Sequence, residues 1–193
     1  MTTVKSLGAR AAMLGCCLAF AATLNAATVW TGPMVEFSKD GFADPTLAEN
    51  QDALTLAVSL TRGSIQGLYN IAQEPFYEGS GGSPIDTEWA FQGLNGNPDS
   101  GVTAQNFAAL NFGDWRVALG SQAGNNILDR PGVLHLISDD IYLDILFTEW
   151  GVGSTSGGSV SYLRASPVPV PAAAWMLASA LGVLGFLRRR RVA

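Results

Sequence analysis

Asp139-Asp140-Ile141-Tyr142-Leu143-Asp144-Ile145-Leu146-Phe147-Thr148-Glu149-Trp150 is the stretch that decides the fold class. Ile141, Leu143, Ile145 and Phe147 share one parity, opposite Tyr142, Asp144, Leu146, Thr148 and Trp150. Successive strand side chains point to opposite faces, so this period of two predicts a strand with one face on a core. Working outward, Leu54, Leu56, Val58 and Leu60 alternate in a second run, and Val160, Tyr162 and Arg164 in a third. Shorter strand candidates cover 28–31, 35–38, 67–72, 87–91, 115–119 and 133–137. Segments rich in turn-forming residues separate them: Asp40-Gly41, 79–84, 94–101, 124–126 and 151–159. The one helical candidate is 103–110, with Thr103 as its cap. Many short, punctuated strands predict an all-β fold, an antiparallel β-sandwich of jelly-roll type over 27–166.

The charge is segregated. Lys5 and Arg10 lie at one end and Arg188 to Arg191 at the other, while every acid falls between Glu36 and Glu149. The central segment keeps Lys39, Arg62, Arg116, Arg130 and Arg164 against 16 acids, a net of −11. Such a body repels phosphate backbones and anionic lipid, which argues against nucleic acid as a partner. With 22 glycines and 14% charged residues, a long charged helix or coiled coil is also excluded.

The two ends read as targeting segments. A positive start, an apolar run over 11–24 and Leu24-Asn25-Ala26 before Ala27 form a secretory signal peptide over 1–26. Cys16 and Cys17, the only cysteines, fall inside it, so the mature chain is expected to lack disulfides and thiolate metal sites. Leu14-Gly15-Cys16 has too short an apolar lead to be a lipoprotein signal. At the other end, Ser166-Pro167-Val168-Pro169-Val170-Pro171 is a stiff extended segment. Residues 172–187 then run without charge, about 24 Å as a helix at ~1.5 Å per residue. Arg188, Arg189, Arg190 and Arg191 orient that transmembrane helix with its C-terminus in the cytoplasm. The acidic domain is then on the outer side of the same membrane.

Val168-Pro169-Val170-Pro171-Ala172, the apolar helix and the arginine cluster together resemble a PEP-CTERM sorting signal of the VPLPA type, over 167–193. The chain departs from that pattern at Val170, where leucine is usual, and lacks a Pro-Glu-Pro core. The resemblance implies recognition by an exosortase, a membrane-embedded transpeptidase-like protease of Gram-negative bacteria that make exopolysaccharide. It therefore implies signal peptidase and exosortase as processing partners and an inner-membrane stage with the domain in the periplasm. Surface or extracellular location and a link to exopolysaccharide and biofilm follow. Asp139 to Ile145, Phe147 to Trp150 and Ser161 to Ala165 also resemble a β-domain of unassigned function in exported bacterial proteins.

Candidate chemistry in the centre is sparse. His135, the only histidine, lies in the apolar run Val133-Leu134-His135-Leu136-Ile137 and reads as structural. A Ser-His-Asp triad on a nucleophile elbow would need a G-x-S-x-G, which is absent, and zinc needs more nitrogen or sulfur ligands. Asp86 and Glu88, two apart, would share a strand face at about 6.5–7 Å, near the lower end used by inverting glycosidases. A solvated pair at a strand start is the plainer reading. Oxygen-rich loops can hold calcium, and Asp40, Asp44, Glu49 and Asp52 are the candidate ligands, with Asp139 and Asp140 as a second cluster. Solvated surface is again the plainer reading, and no other cofactor is expected. Trp30, Trp89, Trp115 and Trp150, with Tyr69, Tyr77, Tyr142 and Tyr162, could stack sugars or fill a sandwich core. Trp150, before a glycine-rich loop, is the most readily exposed of them. The sequence thus predicts a non-enzymatic exported surface or matrix protein. A secreted carbohydrate-binding or glycoside-cleaving domain with the same tail is the alternative.

Overall fold

A computed structural model describes residues 27–79 and 82–168. The signal segment 1–26, most of the sorting motif and Arg188 to Arg191 lie outside the described residues. The domain is mostly β. Its strands are β1 (Thr28–Trp30), β2 (Met34–Lys39), β3 (Asp52–Ala53), β4 (Ser59–Arg62), β5 (Leu68–Asn70), β6 (Thr87–Phe91), β7 (Pro131–Leu136), β8 (Ile141–Trp150) and β9 (Val160–Ala165). Two one-turn helices, α1 (Trp115–Ala118) and α2 (Ala123–Asn126), sit between β6 and β7. Among the described residues no helix is long and apolar enough to cross a membrane.

The large sheet runs β2-β9-β8-β7-β6, and β3-β4-β5 form a small sheet. Among the described strands all pairings are antiparallel except that of β1, which runs parallel to β8 at Ile141–Leu143. Since β7 already occupies that length of one β8 edge, β1 takes the other edge, beyond the point where β9 stops pairing at Ile145. Strands β6 to β9 are neighbours in sequence and in space, a meander in which each strand pairs with the next. A jelly roll instead passes the chain from sheet to sheet, so the jelly-roll order expected from the sequence is not the order found here.

One core lies between the sheets. Val58, Leu60 and Leu68 from the small-sheet side meet Trp89, Phe91, Leu134, Leu143, Ile145 and Phe147 from the large sheet. Aromatic rings fill its centre, with Trp89 and Trp115 edge-on at 4.7 Å and Trp115 and Trp150 at 5.6 Å. The other face of the large sheet is covered by the 3-10 segment Ala104–Ala109, where Val102 and Ala104 pack on Val133. Thr103 caps that segment by accepting from Gln105 N at 3.0 Å, so the expected helix is present in its tighter form.

A buried ion pair ties the sheets together. Asp52 on β3 accepts from Arg164 Nε at 2.8 Å and Arg164 Nη2 at 2.7 Å, and from the Tyr162 hydroxyl at 3.0 Å, both residues on β9. Burial, and then Asp52 beside it, push the Tyr162 phenol well above its ordinary pKa, so it stays a donor.

Three expectations are corrected. The alternating run at 54–60 is not one strand: Thr55 Oγ1 accepts from Val58 N at 3.1 Å, closing a turn over 54–58 that leaves Leu56 fully exposed, and only Ser59 and Leu60 belong to β4. Residues 115–118 are helical because Asp114 caps them, accepting from Val117 N at 2.8 Å. Trp150 is buried, because the β8–β9 register shifts by one residue between Phe147 and Glu149. That bulge turns Trp150 onto the core face, against the parity read from the sequence.

Candidate functional site

Arg62 closes β4. Its Nε donates to the Gln66 carbonyl at 2.9 Å, holding the turn that follows. Its terminal nitrogens donate to the Ser159 and Gly151 carbonyls, each at 2.8 Å, and the guanidinium lies 3.6 Å over the Trp150 ring. The bulge that buries Trp150 thus builds the platform for Arg62. Arg62 is 3% exposed, and among the described residues no carboxylate lies within ion-pair distance of it. Desolvation lowers its pKa to about 10. Lys39 on β2 is buried too, its Nζ donating to the Asp40 carbonyl at 3.2 Å. Burial and the nearby Arg62 charge lower its pKa, against a smaller pull from Asp40. Two buried cations with no paired acid among the described residues stand out in so acidic a domain.

A cavity of about 380 Å³ opens beside Arg62, bounded by Gln66, Tyr77, Trp115, Arg116 and Trp150. Arg116 projects from α1, is exposed, and donates to the Gly79 carbonyl at 3.1 Å. Burial raises the Tyr77 phenol's pKa, with Arg116 pulling the other way, so the hydroxyl remains a donor. A second cavity of about 480 Å³ is lined by Phe42, Asp44, Ile65 and Phe76, and again by Gln66 and Tyr77. Gln66 and Tyr77 thus form a wall common to both cavities, which together are termed the groove. Their volumes are of the size that holds small ligands.

The apolar half of the groove is unusually exposed. Phe42 is 69% exposed and Phe76 59%. Phe42 also sits at φ +64, a region that bulky residues rarely occupy. Its amide donates to the Gly157 carbonyl at 2.8 Å, and a Cβ at Gly157 would overlap the Phe42 ring, so the glycine fixes the ring's place. A strained backbone holding an aromatic ring in solvent is a costly arrangement for stability alone. Asp44 is the one carboxylate among these lining residues. Its Oδ1 is engaged by Thr46 N at 2.9 Å and Thr46 Oγ1 at 2.8 Å, and these bonds lower its pKa.

The residues singled out from the sequence lie mostly elsewhere. Asp86 precedes β6 at φ +66 and accepts from Ser138 N at 2.9 Å and Ser138 Oγ at 2.8 Å, while Glu88 lies 3.6 Å from His135 Nδ1. Neither carboxylate lines the groove. His135 stacks on Tyr142 at 4.1 Å, with Nε2 3.5 Å from Asp140 and without a hydrogen bond. It lies in β7, as a structural histidine would, but is not fully satisfied. Among the described residues no three His, Cys, Asp or Glu side chains are grouped to hold a metal. Asp52 is committed to Arg164 and Tyr162, Asp44 to Thr46, and Asp40, Glu49, Asp139 and Asp140 do not join them in a cluster. Trp89 fills the core, Trp115 and Trp150 belong to the core and also wall the first cavity, and Tyr69 and Tyr77 line the second.

Sequence reasoning missed Arg62, Gln66, Arg116, Phe42 and Phe76. One signal was available: Arg62 is a cation closing an apolar run in a segment almost stripped of cations. Comparison with family models, with curated proteins and with solved structures gives no match.

Proposed function

We propose that the chain is an exported, non-enzymatic cell-surface or extracellular-matrix protein whose β-domain binds polysaccharide in this groove. Export rests on the sequence of the two ends: a signal peptide over 1–26 and a sorting segment over 167–193 that resembles an exosortase substrate. In this reading the chain is held briefly in the inner membrane with its domain in the periplasm. Processing then moves it to the outer surface or releases it, where exopolysaccharide is its partner.

The observation that supports binding is the groove itself, with two exposed phenyl rings, a tyrosine and buried and exposed guanidinium groups along one surface. Sugar rings present C–H faces that stack on aromatics and hydroxyls that meet Gln66 and the Tyr77 hydroxyl. Glycoside cleavage needs two opposed carboxylates, and the described lining offers Asp44 alone. The groove is therefore proposed to bind sugar and not to cleave it.

The tail is tested separately. Its parts act differently, the prolines keeping a peptide bond extended, the helix placing it at the membrane surface and the arginines setting orientation. Changing Arg188, Arg189, Arg190 and Arg191 to glutamate is expected to disturb topology and block processing while the β-domain still folds. Pro169→Ala with Pro171→Ala is expected to leave insertion intact and slow cleavage. If immunoblots of a host carrying an exosortase show both variants processed like the parent, the tail is an ordinary anchor and the sorting reading fails.

A further inference from the structure

We infer that the Arg62–Arg116 end of the groove is a subsite for the carboxylate of an acidic sugar, next to neutral sugars at the Phe42–Phe76 end. This inference rests on the reading of the groove as a polysaccharide site. Three of the five Arg62 N–H groups are used by the Gln66, Ser159 and Gly151 carbonyls, which leaves one on each terminal nitrogen. The bonds and the Trp150 face hold the guanidinium rigidly in the cavity wall. Its charge is desolvated without an anion to offset it, the condition in which a ligand carboxylate gains most. A guanidinium fork matches a planar carboxylate in two parallel bonds. Arg116, exposed and lining the same cavity, adds a second positive charge there.

The rest of the groove limits how much negative charge the ligand carries. The Phe42 half offers phenyl faces and the Asp44 carboxylate, and none of its lining residues is a cation. The surrounding domain is strongly acidic and repels a continuous polyanion. The geometry therefore favours a chain in which acidic rings are separated by neutral ones. Aromatic stacking carries the neutral rings, and the arginine pair reads the acid.

Titration calorimetry on the full-length chain tests this with three defined hexasaccharides: hyaluronan, where carboxylates alternate with neutral rings, its carboxyl-reduced form, and oligogalacturonate. Hyaluronan is expected to bind at least about tenfold more tightly than either of the others, and to weaken about tenfold or more between roughly 50 and 500 mM salt. Arg62→Gln disturbs a buried group, so the informative variant is Arg116→Gln at the exposed position. It is expected to lose about tenfold for hyaluronan and to leave the reduced form unchanged, with an unaltered melting temperature. Equal affinity for hyaluronan and its reduced form overturns the carboxylate subsite while the groove still binds sugar. Oligogalacturonate binding as tightly as hyaluronan overturns the alternation. If none of the three binds at millimolar concentration, the subsite and the polysaccharide reading fall together.

Discussion

Replacing Asp52 with alanine is expected to destabilise the domain by about 3–5 kcal/mol, the range for breaking a buried ion pair on one side. Asp52 and Arg164 are largely buried, with side-chain exposures of 7% and 14%, and the carboxylate takes both arginine bonds and the Tyr162 hydroxyl. Alanine leaves the Arg164 guanidinium with only a long bond from Nη1 to the Ala165 carbonyl at 3.5 Å, and the buried Tyr162 phenol without its acceptor. Coulomb attraction alone does not account for the loss; the larger part is the stranded desolvated charge. Asp52→Leu combined with Arg164→Met is therefore expected to recover part of the stability lost in either single variant, which denaturant melts of all four proteins would measure. A double variant no better than the singles would show that the pair does more than satisfy its own burial. Because Asp52 lies on β3 and its partners on β9, the single variant is also expected to loosen the small sheet from the large one.

Gly158→Ala is the second large effect, about 2–5 kcal/mol from two sources. Gly158 has φ +68, which costs an L-residue about 1–2 kcal/mol. Its missing Cβ is also needed for space, since an added carbon would run directly into the Gly63 carbonyl oxygen, a backbone atom that cannot step aside. Gly153 provides the control. It has φ +76, but no atom lies within 4 Å of the place its Cβ would take, so Gly153→Ala carries only the backbone cost. At ψ 174 Gly153 lies in a region that costs alanine about 1–3 kcal/mol, no less than the backbone cost assigned to Gly158, so a greater loss at Gly158 is a lower bound on the steric part. If the two substitutions cost the same, the close approach of this loop to the β4 end is not what fixes it. Since Arg62 donates to Gly151 and Ser159 at either end of the loop, its displacement also removes the support of the cationic wall.

The sequence revealed strands by their local pattern, whether their partners are near, as for β6 to β9, or far, as for β1 and β2. β6 was legible at its observed bounds, Thr87–Phe91, because an uninterrupted run lies between two turn-rich segments. β8 was legible over Ile141–Phe147, and its parity failed only at Trp150, where a bulge added a residue that alternation cannot reveal. The run at 54–60 misled over 54–58, where apolar residues alternate but the Thr55 hydroxyl bonds the following backbone into a turn; only its end, Ser59 and Leu60, is strand. Residues 115–118 misled because the cap at Asp114 outweighed the apolar pattern after it. The groove was not legible as a site. Phe42, Arg62, Phe76, Arg116 and Trp150 come from five separate segments, and only the folded sheets and loops bring them to one surface. Among the described residues, acids close in sequence, such as Asp40, Asp44, Glu49 and Asp52, do not form a group of three or more that could hold a metal.

The most direct test of the exported, sorted surface protein proposed above is intact-mass spectrometry of the mature chain from its native host. It reports both ends in one measurement. The expected species begins at Ala27 and has lost the apolar segment and Arg188 to Arg191 at its C-terminus. Retention of Ala193 on a chain that begins at Ala27 would leave export standing and contradict sorting. A mass corresponding to Met1–Ala193 would contradict both.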